Sequence, residues 1–188
     1  MNVKETIEKR RAYRSLEPVE IDNDLIYDLA RVAQIAPSCS NRQPWRFIFI
    51  YKDKQLQKLF TTLTPHNKWI EKTSMMIAVF SNPKYDCIIK ERKYYLFDTG
   101  LATAFIILRA TELGFVAHPI AGFNEEKAKE ILGIPEEMRL ITFINIGKHS
   151  TTVNPVLTAN MRLGEKQRPP RKDLSEFIYI NEFGNQLK

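Results

Sequence analysis

Residues 36–52 read APSCSNRQPWRFIFIYK, and the succession of side-chain types there decides most of the fold. Upstream, Leu25, Ile26, Leu29, Val32, Ala33 and Ala36 recur at helical spacing behind Asp22, a helix N-cap residue. Pro37 lacks the N–H that a further turn needs, so the helix stops there. A short polar loop follows. Residues 46–52 then carry apolar side chains on both faces, as in a strand buried inside a sheet.

Working outward, Asp53 caps a helix bearing Leu56, Leu59, Phe60 and Leu63, and residues 75–80 (MMIAVF) predict the next buried strand. Residues 88–113 predict one long helix whose second half, GLATAFIILRATEL, is apolar most of the way round and suits a central core position. Gly114 stands where a helix-ending glycine belongs. Residues 115–121 predict a short extended segment interrupted at Pro119, and Asn124 caps a helix through Leu132 that Gly133 and Pro135 close. Residues 140–146 (LITFINI) predict a third strand, stopping at Gly147-Lys148. Before the opening stretch, Asn2 and Glu5 form a capping box for a helix through about Arg11. Helices and strands mix without regular βαβ repetition, which predicts an α+β domain. Residues 151–170 are polar with three prolines, and 177–180 (FIYI) read as a strand. We therefore divide the chain into a core, 1–150, and a C-terminal arm, 151–188, whose apolar end needs a host sheet.

Composition narrows the function. At 188 residues, 44% hydrophobic and 27% charged, the chain can build a core without metal or disulfide staples. Mean hydropathy is −0.31 and the longest nearly apolar run is 100–108, about half of what spans a bilayer, so no membrane partner is expected. No secretory signal is visible at the start, and two cysteines, Cys39 and Cys87, make no disulfide framework; a cytoplasmic setting is expected. The glycines never form G-x-G or a P-loop, the three histidines are scattered, and no G-x-S-x-G occurs. No metal site and no acid–base constellation is expected. Net charge is +6, yet no interleaved aromatic and basic motif accompanies it, so nucleic acid is not the expected partner. The cations gather at 10–14, 90–93 and 166–172. Clusters at both ends of one domain are either solvated faces or parts of one anion site.

Two motifs stand out: Arg10-Arg11-Ala12-Tyr13-Arg14, and the loop Pro37-Ser38-Cys39-Ser40-Asn41-Arg42-Gln43-Pro44-Trp45. Together they resemble the signature of the flavin-dependent nitroreductase family, R-R-S-x-R followed by P-S-x-x-N-x-Q-P-W. The resemblance continues through Asp98-x-Gly100, Glu112-Leu113-Gly114-Phe115, Pro119-Ile120-Ala121-Gly122-Phe123, Ile146-Gly147-Lys148 and Arg171-Lys172-x-Leu174-Ser175-Glu176, and so covers nearly the whole chain.

The resemblance implies a central mixed sheet flanked by helices, and an extended C-terminal arm exchanged within a homodimer. It implies FMN as cofactor, NADH or NADPH as co-substrate, and a small-molecule electron acceptor such as a nitroaromatic or quinone, reduced by ping-pong hydride transfer through flavin N5. Members that dehalogenate or fragment flavin use the same cofactor, and a non-catalytic flavin-binding protein is the alternative that Ala121 keeps open. Arg10, Arg11 and Arg171 are assigned to the phosphate, which guanidinium forks bind by paired hydrogen bonds. Ala12 belongs to the same set. Arg14 is assigned to the pyrimidine edge, where a cation stabilises the reduced ring; the alternative for these arginines is pairing with the helix C-terminal dipole. Pro37, Ser38, Cys39 and Asn41 would reach the flavin of the other subunit, Cys39 as a packing residue. Gly122, with Ala121 before it, would bring a backbone N–H to N5, and Asn67 would contact the ring or cap its loop. The flavin carries the chemistry, so no catalytic side chain is expected. Tyr85, Tyr94 and Tyr95 flank the family's variable lid segment.

Overall fold

Strand β3 (Met75–Ser81) is buried at every residue and forms the middle of the sheet. In the computed structural model, which describes residues 1–186, it pairs with β2 (Trp45–Ile50) on one side and β5 (Arg139–His149) on the other. β4 (Val116–Ile120) lines the far edge of β5, and the two-residue β1 (Leu16–Glu17) pairs with its end through Leu16 and His149. Every pairing is antiparallel, where a mixed sheet was expected. The reason lies in strand order: β3 and β4 run the same way, but β5 inserts between them, so neither has a parallel neighbour.

The strands' two faces bury two cores. Met75, Ile77 and Val79 pack with Leu29 and Ala33 of α2 (Asn23–Gln34) and with Ala102, Ile106 and Ala110 of α4 (Tyr94–Glu112). Met76, Ala78 and Phe80 face Leu56 and Leu59 of α3 (Asp53–Phe60), Trp69 and Ile70 of the 3-10 turn Pro65–Lys72, and Ala128 of α5 (Glu125–Leu132). This alternation follows from the period of two along a strand.

Local signals hold at most helix ends. Asn2 and Glu5 make the capping box of α1 (Val3–Lys9), Asp22 accepts from Leu25 N, Asn124 accepts from Lys127 N, and Gly133 closes α5 in the left-handed region. Four boundaries depart from expectation. Asp53 is the first residue of α3 and Lys52 its cap. α4 begins at Tyr94, because Ile88, Lys90 and Lys93 adopt positive φ and break the helical run. β4 runs through Pro119; it pairs only with β5, and an edge strand tolerates a residue without N–H. β5 passes Gly147 and continues to His149.

The arm differs most. α6 (Ala159–Lys166), capped by Thr158, folds against its own chain, with Leu157 buried and Asn154 N donating to Ser15 Oγ. Residues 177–180 form no strand: after the short turn Leu174–Glu176, Ile180 N donates to Asn185 O within a local loop. Tyr179 forms a single antiparallel bridge with Gln186, so the run folds back on the chain's own end instead of joining the main sheet. Leu174, Phe177, Ile180 and Phe183 are exposed.

Candidate cofactor site

The loop from Arg10 to Ser15 leaves α1 and lies under α6. Glu165, its side chain only 4% exposed, accepts from Arg14 N at 2.8 Å and Ser15 N at 3.0 Å. Arg11 donates to Gly164 O at 2.8 Å, and Arg168 Nη2 donates to Glu8 O and Arg10 O. A buried carboxylate costs free energy unless its oxygens find donors, and here two backbone N–H groups supply them. The first and last cationic clusters thus meet in space. Burial, then the charges of Arg168, Arg171 and Arg11, hold the Arg10 guanidinium below its ordinary value. Among the described residues none of Arg10, Arg11, Arg14, Arg168 and Arg171 forms an ion pair.

Aromatic rings floor this cluster. Arg11 lies over Tyr13, whose ring stacks on His149 at 3.6 Å; Arg14 lies 5.9 Å from the centroid of Trp69. Trp69 in turn sits 4.6 Å from His118, a buried ring on β4. Because His118 Nδ1 faces the Tyr13 carbonyl at 3.1 Å, that nitrogen carries the proton. Burial pushes His118 down to about 4, so it is neutral near pH 7 despite the Tyr13 carbonyl's opposing pull.

Two residues after β4, Gly122 makes a corner with the Thr64–Asn67 turn. Its carbonyl accepts from Asn67 Nδ2 at 2.9 Å, Thr64 N at 3.1 Å and Thr64 Oγ1 at 3.2 Å. A Cβ on Gly122 would lie 2.6 Å from Asn67 Nδ2 and 2.7 Å from Thr64 Oγ1, so a side chain here would have to displace those two polar groups. The Gly122 N–H donates to none of the described residues. Ala121 beside it is exposed, and its carbonyl accepts from Phe123 N.

The structure therefore brings Arg10, Arg11, Ala12, Arg14 and Arg171 to one region, and joins Asn67 to Gly122 nearby through Trp69 and His118. The loop 37–43 makes its hydrogen bonds elsewhere. Ser38 Oγ accepts from Gln43 N, Asn41 Oδ1 accepts from Gln43 Nε2, and Ser40, Asn41 and Gln43 all have positive φ. Cys39 N donates to Asp98 Oδ2 of α4 at 3.0 Å. Burial raises the Asp98 carboxyl, the Cys39 N–H opposes the rise, and Asp86 adds to it. Pro37 is exposed, and no hydrogen bond links this loop to the arginine cluster among the described residues. Cys39 is not a free packing residue: it is cross-linked to Cys87, against the expectation of unpaired thiols. Glu165, His118 and Arg168 were not singled out from sequence as parts of the site. The helix that carries Glu165 is capped by Thr158, whose side chain accepts from Met161 N.

FMN suits these residues by the chemistry of the donor set. A dianionic phosphate would neutralise the unpaired guanidiniums that now repel Arg10, and the free Gly122 N–H offers a donor to a ring nitrogen. Among the described residues no group of three His, Cys, Asp or Glu side chains could hold a metal ion, and no helix is long and apolar enough to cross a membrane.

The nitroreductase family model matches residues 7–73 and 64–148. A protein of Archaeoglobus fulgidus named for NADH dehydrogenase/NAD(P)H nitroreductase activity is 29% identical over 147 residues, 73% of this chain and 80% of that one. The crystal structure of a nitroreductase family protein from Clostridium novyi superposes with a TM-score of 0.75 at 28% identity, covering 99% of this chain and 97% of that one. A protein of Exiguobacterium sibiricum described as a nitroreductase, solved in complex with FMN, shares the fold with a TM-score of 0.71 at 23% identity, over 85% of this chain and 95% of that one. With its two motifs, its sheet and its arginine cluster in place, this chain belongs to the nitroreductase family.

Proposed function

We propose that the protein is an FMN-dependent NAD(P)H oxidoreductase that reduces nitroaromatic, quinone or similar acceptors in a ping-pong cycle. The observation that carries this reading is the meeting of arginines from both ends of the chain, none of which forms an ion pair with a carboxylate among the described residues. The FMN complex of the Exiguobacterium relative supports the choice of anion.

When bound, the flavin supplies hydride chemistry at N5. The chain's own residues bind and orient it. Arg10, Arg11 and Arg171 hold the phosphate, with Ala12 in the same loop, and Arg14 stands at the pyrimidine edge. Gly122, with Ala121 before it, presents its backbone N–H, and Asn67 fixes that corner through the Gly122 carbonyl. His118 stays neutral beneath the site and adds no charge of its own at neutral pH. Pro37, Ser38, Cys39 and Asn41 serve the cofactor of the other subunit in a homodimer, consistent with the absence of any hydrogen bond from this loop to the arginines of its own chain among the described residues.

The test is the purified protein's absorbance and its titration with FMN. Bound flavin at one per chain, reduced by NADH or NADPH and reoxidised by a nitroaromatic or quinone, is the expected result. A folded protein that takes up no FMN overturns the reading.

A further inference from the structure

Cys39, on the loop 37–43, and Cys87, just ahead of the segment 88–93, are covalently joined, with Cα atoms 5.9 Å apart. That separation sits inside the range a cystine requires. Each partner belongs to a strained loop. Cys39 precedes Ser40 and Asn41, and Cys87 precedes Ile88 and Lys90, all with positive φ; for β-branched Ile88 this is a rare conformation. The two sides are anchored unequally. The Cys39 loop is held by Asp98 and by Ser38 and Asn41 contacts to Gln43. Residues 88–93 are exposed throughout, and among the described residues their only internal backbone hydrogen bond is Arg92 N to Ile89 O at 3.4 Å. Asp86 accepts from Tyr95 N across the base of the segment and Lys93 O accepts from Leu96 N, so the end of the segment is tied to α4 and its start, through the cystine, to the 37–43 loop.

We propose that Cys39–Cys87 is a thiol-exchange site that latches the segment 87–93 against the 37–43 loop, and that low-molecular-weight thiols open it. A thiolate attacks one sulfur, displaces the other cysteine as thiolate and leaves a mixed disulfide. A second thiol molecule releases that adduct as its own symmetric disulfide. The cystine gains two electrons and two protons, and two thiol molecules are oxidised; their disulfide drives the reverse reaction. The latch stands on this chain's geometry; only its effect on acceptor entry rests on the flavin reading.

Limited trypsin digestion tests the latch, because Lys90, Arg92 and Lys93 lie inside the segment. Protein treated with oxidised glutathione should yield a cross-linked Cys39–Cys87 peptide and be cut there at least about tenfold more slowly than protein treated with dithiothreitol. Cys87→Ser should be cut fast under both treatments. Failure to form the cross-linked peptide, or equal cutting rates in wild type, overturns the proposal. On flavin-loaded enzyme, thiol treatment should raise kcat/KM for a bulky acceptor in wild type and leave Cys87→Ser unchanged. If no flavin binds at all, the flavin reading fails while the digestion still decides the latch.

Discussion

Three residues set the site's chemistry in different ways. Arg171 is exposed and its charge reaches Arg10; if it holds the phosphate as proposed, Arg171→Ala should weaken FMN binding by about tenfold, the low end for a charge-assisted contact, as read by fluorescence titration. Unchanged affinity would make the C-terminal cations a solvated face. Glu165 acts by placement. Glu165→Gln keeps the shape but turns one of two acceptor oxygens into a donor facing an N–H, which should cost about 1–3 kcal/mol in denaturant unfolding and loosen FMN as well. His118 sets a pH limit. It is neutral in the fold down to about 4, while the unfolded chain protonates it near 6.5. The unfolded state then binds more protons between those values, so stability is complete above the unfolded value and lost as pH falls, by up to about 3 kcal/mol. His118→Gln should flatten that loss; urea midpoints compared between about pH 7 and about pH 4.5 measure it, and parallel curves for both proteins would acquit His118.

At the scale of elements, what the sequence made legible was whatever is decided within a few residues. The caps at Asn2, Asp22 and Asn124, the Gly133 stop and the apolar run 75–80 of β3 are local facts and stand as read. The position of β5 between β3 and β4 is not local, since it depends on which edge the last strand finds, and so the antiparallel order escaped the sequence. α6 escaped because it is polar outside, with Leu163 exposed, and is fixed by one buried carboxylate reaching across 150 positions. The site divides in the same way: the motif arginines, Asn67 and Gly122 were legible through family resemblance, whereas Glu165 and the Cys39–Cys87 link depend on tertiary approach. Gly122 shows how the two levels meet. Its resemblance-based role is toward a ligand, yet its immediate constraint is Asn67 and Thr64. Gly122→Ala should therefore break the Asn67 hydrogen bond, costing about 1 kcal/mol, and a double-mutant cycle with Asn67→Ala should be non-additive. Strict additivity would show that the corner is not a unit.

At the scale of the molecule, the unanswered surface is apolar. Leu174, Phe177, Ile180 and Phe183 are exposed on the end of the arm, the last at 89%. Elsewhere Met1, Val3, Val32, Ile35, Phe105 and Leu108 line a groove of about 220 Å³ between α1, α2 and α4. One chain leaves both without cover, and contiguous exposed apolar area usually marks an interface. In a homodimer the arm end of one subunit would be buried on the other, and the 37–41 loop would arrive at the other's arginine cluster. Because α6 already packs on its own chain and Arg171 precedes the exposed end, the chain can be cut after Arg171 without removing any arginine of the cluster. Loss of flavin from that truncation then reports on assembly rather than on lost phosphate ligands. The expected product is a monomer or aggregate that has lost bound FMN, followed by sedimentation velocity with detection at the flavin band. Stable dimers of this kind bury more than about 2,000 Å², which the missing apolar end would leave unfilled. A truncated monomer that retains FMN tightly would mean that each chain holds a whole site, and that the 37–41 loop serves another purpose.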